Sequence, residues 1–267
     1  MELRGALAVV TGAGSGIGRA TALALAREGA RVVAVDIDVD EAGKTARQCD
    51  EVGAPESEAL GCDVADADAV AALARDVDDR WHPPDVLINN AGVGMTGRLG
   101  EMSIDDWRWI RGVNIDGVVH CCLAFGPSMV ERGRGHVVNM SSGLGYTPRA
   151  TEPAYCTTKA AVLALSQCLR ADWRPRGVSV SAICPGVINT PIIANTRFLG
   201  AQDSSRERTA RLFRRIGHKP EAVANAVLRA IRRDRVMVAV GWEAKLGWGM
   251  HRALPLAAHQ VAAGRSI

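Results

Sequence analysis

Thr11-Gly12-Ala13-Gly14-Ser15-Gly16-Ile17-Gly18 is the stretch on which the reading of this chain turns. A short apolar run over 6–11 leads into it, and an amphipathic helical pattern over 17–28 grows out of it. A strand that passes into a helix through a glycine-rich turn brings unhindered backbone N–H groups and the positive end of a helix dipole to one point, where a pyrophosphate can approach the main chain. The spacing is TGxxxGxG, set by Thr11, Gly12, Gly16 and Gly18, and not GxGxxG. A glycine turn also serves any tight strand-to-helix connection, so its meaning depends on what surrounds it.

Downstream the same alternation repeats. Short apolar runs over 31–36, 59–63, 85–89, 135–140, 178–184 and 235–240, most of them rich in valine, read with 6–11 as seven strands buried on both faces. Helical patterns over 17–28, 39–51, 67–80, 104–132, 155–173 and 220–233 lie between them. Strand and helix in alternation build right-handed βαβ units, which predicts an α/β fold: a doubly wound, Rossmann-type, mainly parallel seven-stranded sheet with helices on both faces. We expect one domain over 1–241, with a long connection over 189–217 as a lid or substrate loop and a tail over 242–267. A chain of 267 residues is an ordinary size for a single α/β domain.

Several function classes are disfavoured by composition. A formal charge of +3 is too small for a protein whose affinity rests on cationic contacts to nucleic-acid phosphates. Seven cysteines form no CxxC pair, and the six histidines show no HExxH, so we expect reduced thiols in a cytoplasmic protein and no metal site. No signal peptide is read at the start, and no run approaches the roughly 20 apolar residues of a membrane span.

Context sharpens the glycine turn. Asp36 closes the second strand about 20 residues on, where a carboxylate would accept hydrogen bonds from the adenosine ribose hydroxyls and repel a 2′-phosphate. No Arg or Lys stands at Ser15 or directly after Asp36, at Ile37 and Asp38, so NAD(H) is expected over NADP(H). Further on, Tyr155 and Lys159 lie four apart at the start of a predicted helix and share one face. The other tyrosine, Tyr146, has Ala150 at that offset.

Taken together these residues resemble the short-chain dehydrogenase/reductase family over nearly the whole chain. The likeness is carried by the glycine pattern, Asp63, Asn89-Asn90-Ala91-Gly92, Asn114, Ser141-Ser142, Tyr155-xxx-Lys159, the Pro185-Gly186 turn and Thr190. It implies cofactor contacts at Gly12, Gly14, Ser15, Gly16, Ile17, Gly18 and Asp36, and at Asp63 and Val64 beside the adenine. Asn90, Ala91 and Gly92 would approach the ribose, and Pro185, Gly186, Val187 and Thr190 the nicotinamide. Tyr155 would give or take the proton at the substrate oxygen, Lys159 would lower its pKa and hold the nicotinamide ribose, and Ser142, with Ser141 as fallback, would orient the carbonyl. Asn114 would hold a water joining Lys159 to solvent. A secondary alcohol and a ketone would be interconverted by hydride transfer, and a homodimer or homotetramer is implied.

Outside these motifs the reading stays open. Apolar residues in 143–153 and 189–217, among them Leu144, Ile192, Leu212 and Phe213, suit either lid packing or a pocket for a hydrophobic substrate. Arg206, Arg208, Arg211, Arg214 and Arg215 make either a solvated face or a docking site for an anionic partner. The tail, with Trp242, Leu246, Trp248, Leu254 and Leu256, could pack at a subunit interface, over the site, or on a membrane. Two rival functions are a non-catalytic dinucleotide sensor, against which Ser142, Tyr155 and Lys159 speak, and an NADPH-type carrier-linked 3-oxoacyl reductase, against which Asp36 speaks.

Overall fold

The computed structural model describes residues 1–255; Leu256 and the rest of the expected tail lie outside the described residues. In chain order the elements are β1 (Leu7–Thr11), α1 (Gly16–Arg27), β2 (Arg31–Asp36), α2 (Val39–Glu51), β3 (Ser57–Gly61), α3 (Ala67–Arg80), β4 (Val86–Asn89), β5 (Met95–Thr96), α4 (Ile104–Arg111), α5 (Gly117–Glu131), β6 (Gly135–Met140), α6 (Pro153–Trp173), β7 (Val178–Pro185), β8 (Arg197–Phe198), α7 (Arg206–Ile216), α8 (Pro220–Arg233), β9 (Met237–Val240) and α9 (Trp242–Ala253).

Seven strands pair in the order β3-β2-β1-β4-β6-β7-β9, every neighbouring pair parallel. Successive side chains on a strand point to opposite faces, and the valine-rich runs sort accordingly. Ala8, Val10, Val32, Ala34 and Ile88 pack under α1, α2 and α8. Val9, Val33, Val35, Leu87 and Val137 pack under α3, α5 and α6. Burial on both faces is why these strands read as continuous apolar runs. The chain winds outward from β1 to β3, then crosses back to β4 on the other side of β1, so the strand order reverses between β1 and β4. A crevice opens at the carboxyl ends of strands at such a reversal.

Differences from the sequence expectation are local. β3 lies at Ser57–Gly61, two residues earlier than the 59–63 run, because its register pairs Val32 with Ser57 and Asp36 with Gly61. Asp63 and Val64 are thereby left past the strand end, free to face the crevice. The helix expected over 104–132 is interrupted by a π-helical turn, Gly112–Asp116. The stretch Ile104–Glu131 is long and apolar enough to span a bilayer by length and composition, contrary to the sequence reading. Val118, Cys121, Phe125 and Met129 nevertheless bury against α3 and the sheet. α6 begins at Pro153, a residue suited to the first helical turn, two positions ahead of Tyr155. The 189–217 connection carries β8 and α7, and β8 pairs in parallel with β5.

Candidate active site

The reversal point is fastened by side chains before any ligand arrives. The Thr11 hydroxyl accepts the N–H groups of Asn90 and Ala91, each at 3.1 Å, and the Asn90 amide donates to the carbonyls of Thr11 (2.9 Å) and Gly12 (3.0 Å). Two strands separated by nearly eighty residues are locked together in this way. Close approach follows: a Cβ on Gly12 would stand 2.8 Å from Ala91 Cα, and one on Gly18 would overlap the Gly12 carbonyl. Gly16 adopts φ +52, a left-handed conformation that only glycine takes readily, and starts α1. The result is a bare main-chain cradle at a helix N-terminus, and such a cradle fits a dinucleotide pyrophosphate.

From that cradle a cavity of about 1310 Å³ extends across the carboxyl ends of the strands. Gly12, Ser15, Gly16, Ile17 and Asp36 line one end, with Asp63 and Val64 beside them; Asn90, Ala91 and Gly92 form its floor. Ser142, Tyr155 and Lys159 line the middle, and Pro185, Gly186, Val187 and Thr190 the opposite wall. Three expected site residues do not line it: Gly14, Gly18 and Asn114. Gly14 donates its N–H to Asp36 Oδ2 at 2.7 Å and so aims the carboxylate. Gly18 lets the helix pack on the turn. The fully buried Asn114 spends its amide on Val93, accepting from N–H at 2.8 Å and donating to C=O at 3.0 Å, and on the Thr158 hydroxyl at 3.2 Å.

Ser141 and Ser142 are resolved by their partners. The Ser141 hydroxyl donates to the Lys159 carbonyl at 2.7 Å and is spent on the fold. The Ser142 hydroxyl reaches the Tyr155 phenol and accepts the Leu144 N–H at 3.1 Å. Burial pushes the Tyr155 pKa well above the ordinary phenol range, and the Ser142 hydrogen bond only partly offsets it. Lys159 Nζ stands 5.7 Å from the Tyr155 ring centroid and donates to the Met140 carbonyl at 3.1 Å. Burial pulls its own pKa down to about 8. Ser142 is the neighbour that favours the phenolate, while Lys159 stands beside the ring with its ammonium bonded to the Met140 carbonyl. Tyr146 is excluded as a rival, since its buried hydroxyl donates to the Ala244 carbonyl at 2.8 Å.

Several residues at the site escaped sequence reading. Arg19 lies near the ribose end, donating to the Gly14 carbonyl and to Glu41 Oε2 at 2.7 Å. Glu152, on the cavity wall one turn before Tyr155, is raised in pKa by burial and has Arg149 3.7 Å away. Its place beside the tyrosine motif was a signal available in the sequence. Glu243 reaches the cavity from α9, and nothing local in the sequence pointed to it. The arginine cluster lies on α7 with its arginines exposed; Arg208, Arg211 and Arg215 border the cavity and Arg206 stacks on Phe198, 4.9 Å from the ring centroid.

Fold and site define a doubly wound α/β domain in which a tyrosine, a lysine and a serine line one cavity with a glycine cradle. The chain matches the short chain dehydrogenase family over residues 6–198, and it belongs to the short-chain dehydrogenase/reductase family. It is 41% identical to the "Probable oxidoreductase EphD" of Mycobacterium tuberculosis over 98% of this chain, and spans 45% of that protein's length. It is 40% identical to the D-threitol dehydrogenase of Mycolicibacterium smegmatis, covering 72% of this chain and 73% of that one. A short-chain dehydrogenase/reductase from Burkholderia phymatum in complex with NAD superposes with a TM-score of 0.86 at 30% identity, covering 94% of this chain and 93% of the other.

Proposed function

We propose that this protein is an NAD(H)-dependent dehydrogenase that interconverts a secondary alcohol and a ketone, with Tyr155 as the proton donor and acceptor. One observation carries the reading: Ser142, Tyr155 and Lys159 line the same cavity that ends on the glycine cradle and Asp36. A nicotinamide dinucleotide, when bound, supplies the hydride acceptor or donor. The chain's own residues do the rest. Ser142 and Tyr155 hold the substrate oxygen from one side, and Tyr155 moves the proton there as charge changes on that oxygen. Lys159, whose ammonium donates to the Met140 carbonyl, would hold the ribose hydroxyls of a bound nucleotide. Asn114, its amide committed to Val93 and Thr158, fixes the backbone next to Gly92.

NAD is preferred because Asp36, aimed by Gly14, stands where a 2′-phosphate would be placed, and the nearest cation, Arg19, is paired with Glu41. Steady-state rates with the two cofactors test this: a preference of about tenfold or more for NADP(H), equivalent to about 1.4 kcal/mol, overturns it. For the substrate we favour a carbon skeleton with an apolar body, since Met95, Trp109, Leu144, Ile192 and Phe213 face the cavity. A polyol is the second reading, favoured by the D-threitol dehydrogenase relative and by Glu152 and Arg149 beside Tyr155. A spectrophotometric screen of aliphatic, aromatic and polycyclic alcohols beside tetritols and hexitols, with NAD, decides between them. Turnover confined to polyols would remove the apolar reading.

We also place the protein in a reducing, cytoplasmic compartment, because Cys49, Cys62, Cys121, Cys122, Cys156 and Cys184 are free and buried. Assembly as a homodimer or homotetramer through α5 and α6 is consistent with the exposed Leu123.

A further inference from the structure

The substrate side of the cavity is closed by a segment whose two ends are held at one point. His218 N–H donates to the Val187 carbonyl and Asn189 N–H to the His218 carbonyl, each at 2.9 Å, so the chain leaves the sheet after β7 and returns thirty residues later through a short parallel bridge. Ile192, Leu212 and Phe213, with Arg208 and Arg211, lie on the segment between, over the cavity. β8 pins the middle of the segment to β5, so the bridge is what holds its second half, including α7, at the base.

A third group crosses that bridge. Glu243, in the first turn of α9, accepts the Val187 N–H on Oε1 at 2.7 Å and faces His218 Nε2 with Oε2 at 3.0 Å. One carboxylate therefore holds both strands of the bridge, with one oxygen assigned to each. Space has been left for it on two sides: a Cβ on Gly186 would overlap the carboxylate, and one on Gly241 would stand 2.8 Å from Oε1. The helix N-terminus favours the negative charge at this position. α9 is itself anchored to the other substrate-side loop, where the Tyr146 hydroxyl bonds the Ala244 carbonyl and the Trp248 ring packs edge-on against Tyr146 at 5.2 Å. The anchoring loop begins at Ser142.

We propose that Glu243 is a positioning residue that clamps the base of the 188–217 segment and thereby sets the substrate side of the cavity, with α9 as the support that fixes the clamp relative to Ser142. The proposal rests on the reading of this cavity as the site of alcohol oxidation, yet the clamp itself can be read without cofactor or substrate. The glycine cradle and Asp36 lie on other elements, whereas Val187, which the carboxylate holds, is on the wall expected to meet the nicotinamide.

The test uses the full chain with Glu243→Ala, and Glu243→Gln as the conservative variant, whose amide can still accept from Val187 and donate to an unprotonated His218. In limited trypsin digestion of the ligand-free protein, Glu243→Ala is expected to be cut within Arg206–Arg215 about tenfold faster, and Glu243→Gln at close to the wild-type rate. With the alcohol found in the screen, Glu243→Ala should raise KM about tenfold while kcat changes by less than about threefold. A purely structural role would lower the melting temperature without localising the cuts or splitting KM from kcat. Wild-type cleavage and KM in Glu243→Ala would overturn the clamp. Should that variant fail to fold, His218→Ala, which removes one of the two bonds, is read the same way, and wild-type behaviour there overturns it equally. Fast cleavage in a protein that oxidises no alcohol would keep the clamp and sink the oxidoreductase reading; active protein with unaltered cleavage does the reverse.

Discussion

At Gly12 the main chain meets Asn90 and Ala91, residues just past the ends of strands that are hydrogen-bonded neighbours in the sheet. At Val187 it meets a carboxylate carried by a helix 56 residues further along, outside the sheet altogether. The nucleotide end of the cavity is thus framed by backbone: missing side chains at Gly12, Gly16 and Gly18, and one asparagine that staples β1 to β4. The substrate end is framed by side chains from separate segments, namely Tyr146 on Ala244, Glu243 on Val187 and His218, and Arg197 between Asp106 (2.9 Å) and the Trp109 ring (3.9 Å to its centroid). A frame made of sheet backbone has one geometry and tolerates little change. One made of side-chain contacts between loops can be re-cut for another substrate without disturbing the cofactor, which is why binding diversity gathers on loops carried by a rigid scaffold.

Substitutions can break this contrast. Tyr155→Phe acts at the seam between the two ends and should give the largest effect. Turnover is expected to fall by about 10²–10⁴, the usual scale of a lost proton-transfer group, with the NAD dissociation constant nearly unchanged by equilibrium fluorescence titration. Residual activity above a few per cent would contradict the assigned role. Gly18→Ala strikes the backbone-framed end: its methyl would overlap the Gly12 carbonyl, so about 1–3 kcal/mol of stability and at least tenfold in NAD affinity should be lost together. Urea unfolding and cofactor titration on the same sample check whether the two losses travel together.

His136 supplies a control away from both ends. It is buried on β6 with Nε2 bonded to the Ser181 hydroxyl at 2.8 Å, and burial pulls its pKa down from 6.5 to about 4. Between those values the unfolded chain takes up a proton that the folded one refuses. Stability is therefore full above about pH 6.5 and falls as the pH drops toward 4, by about 1–2 kcal/mol at pH 5. His136→Gln should flatten that slope in urea titrations at pH 7 and pH 5 and leave both ends of the cavity unaltered. The smallest effect is expected at the side-chain-framed end. Leu212→Ser, on a half-exposed cavity-lining position of α7, should shift KM among alcohols of different polarity only severalfold, with NAD affinity constant. A change in NAD affinity as large as that of Gly18→Ala would show that the two ends are not independent.

Much of the sheet was legible because both-face burial demands runs of Val, Ile and Ala, and such runs survive as a one-dimensional pattern. β3, the least apolar strand with Ser57 and Glu58 at its start, was read two residues late for the same reason. α7 and α9 were missed as elements: the exposed faces of α7 carry arginines, and α9 places Trp242, Leu246 and Met250 outward, so neither advertises a core-facing stripe. Within the site, the sequence could offer Ser141 and Ser142 as a pair but could not rank them. The extended backbone just past β6 ranks them, turning Ser141 toward the Lys159 carbonyl and leaving Ser142 on the cavity wall with Tyr155.

What the sequence determined by itself is whatever rests on neighbours along the chain. The glycine turn needs residues a few positions apart, the strand-end carboxylate follows its own strand, and Tyr155 and Lys159 share a face because a helix repeats every 3.6 residues. Tertiary structure alone decided which hydroxyl faces the phenol, that the Asn114 amide is spent on Val93 and Thr158, that burial opposes ionisation of both Tyr155 and Lys159, and that a glutamate in α9 reaches the wall of the cavity. Each of these depends on distance and desolvation between groups far apart in the chain. Neither quantity leaves a periodic mark in the order of the residues.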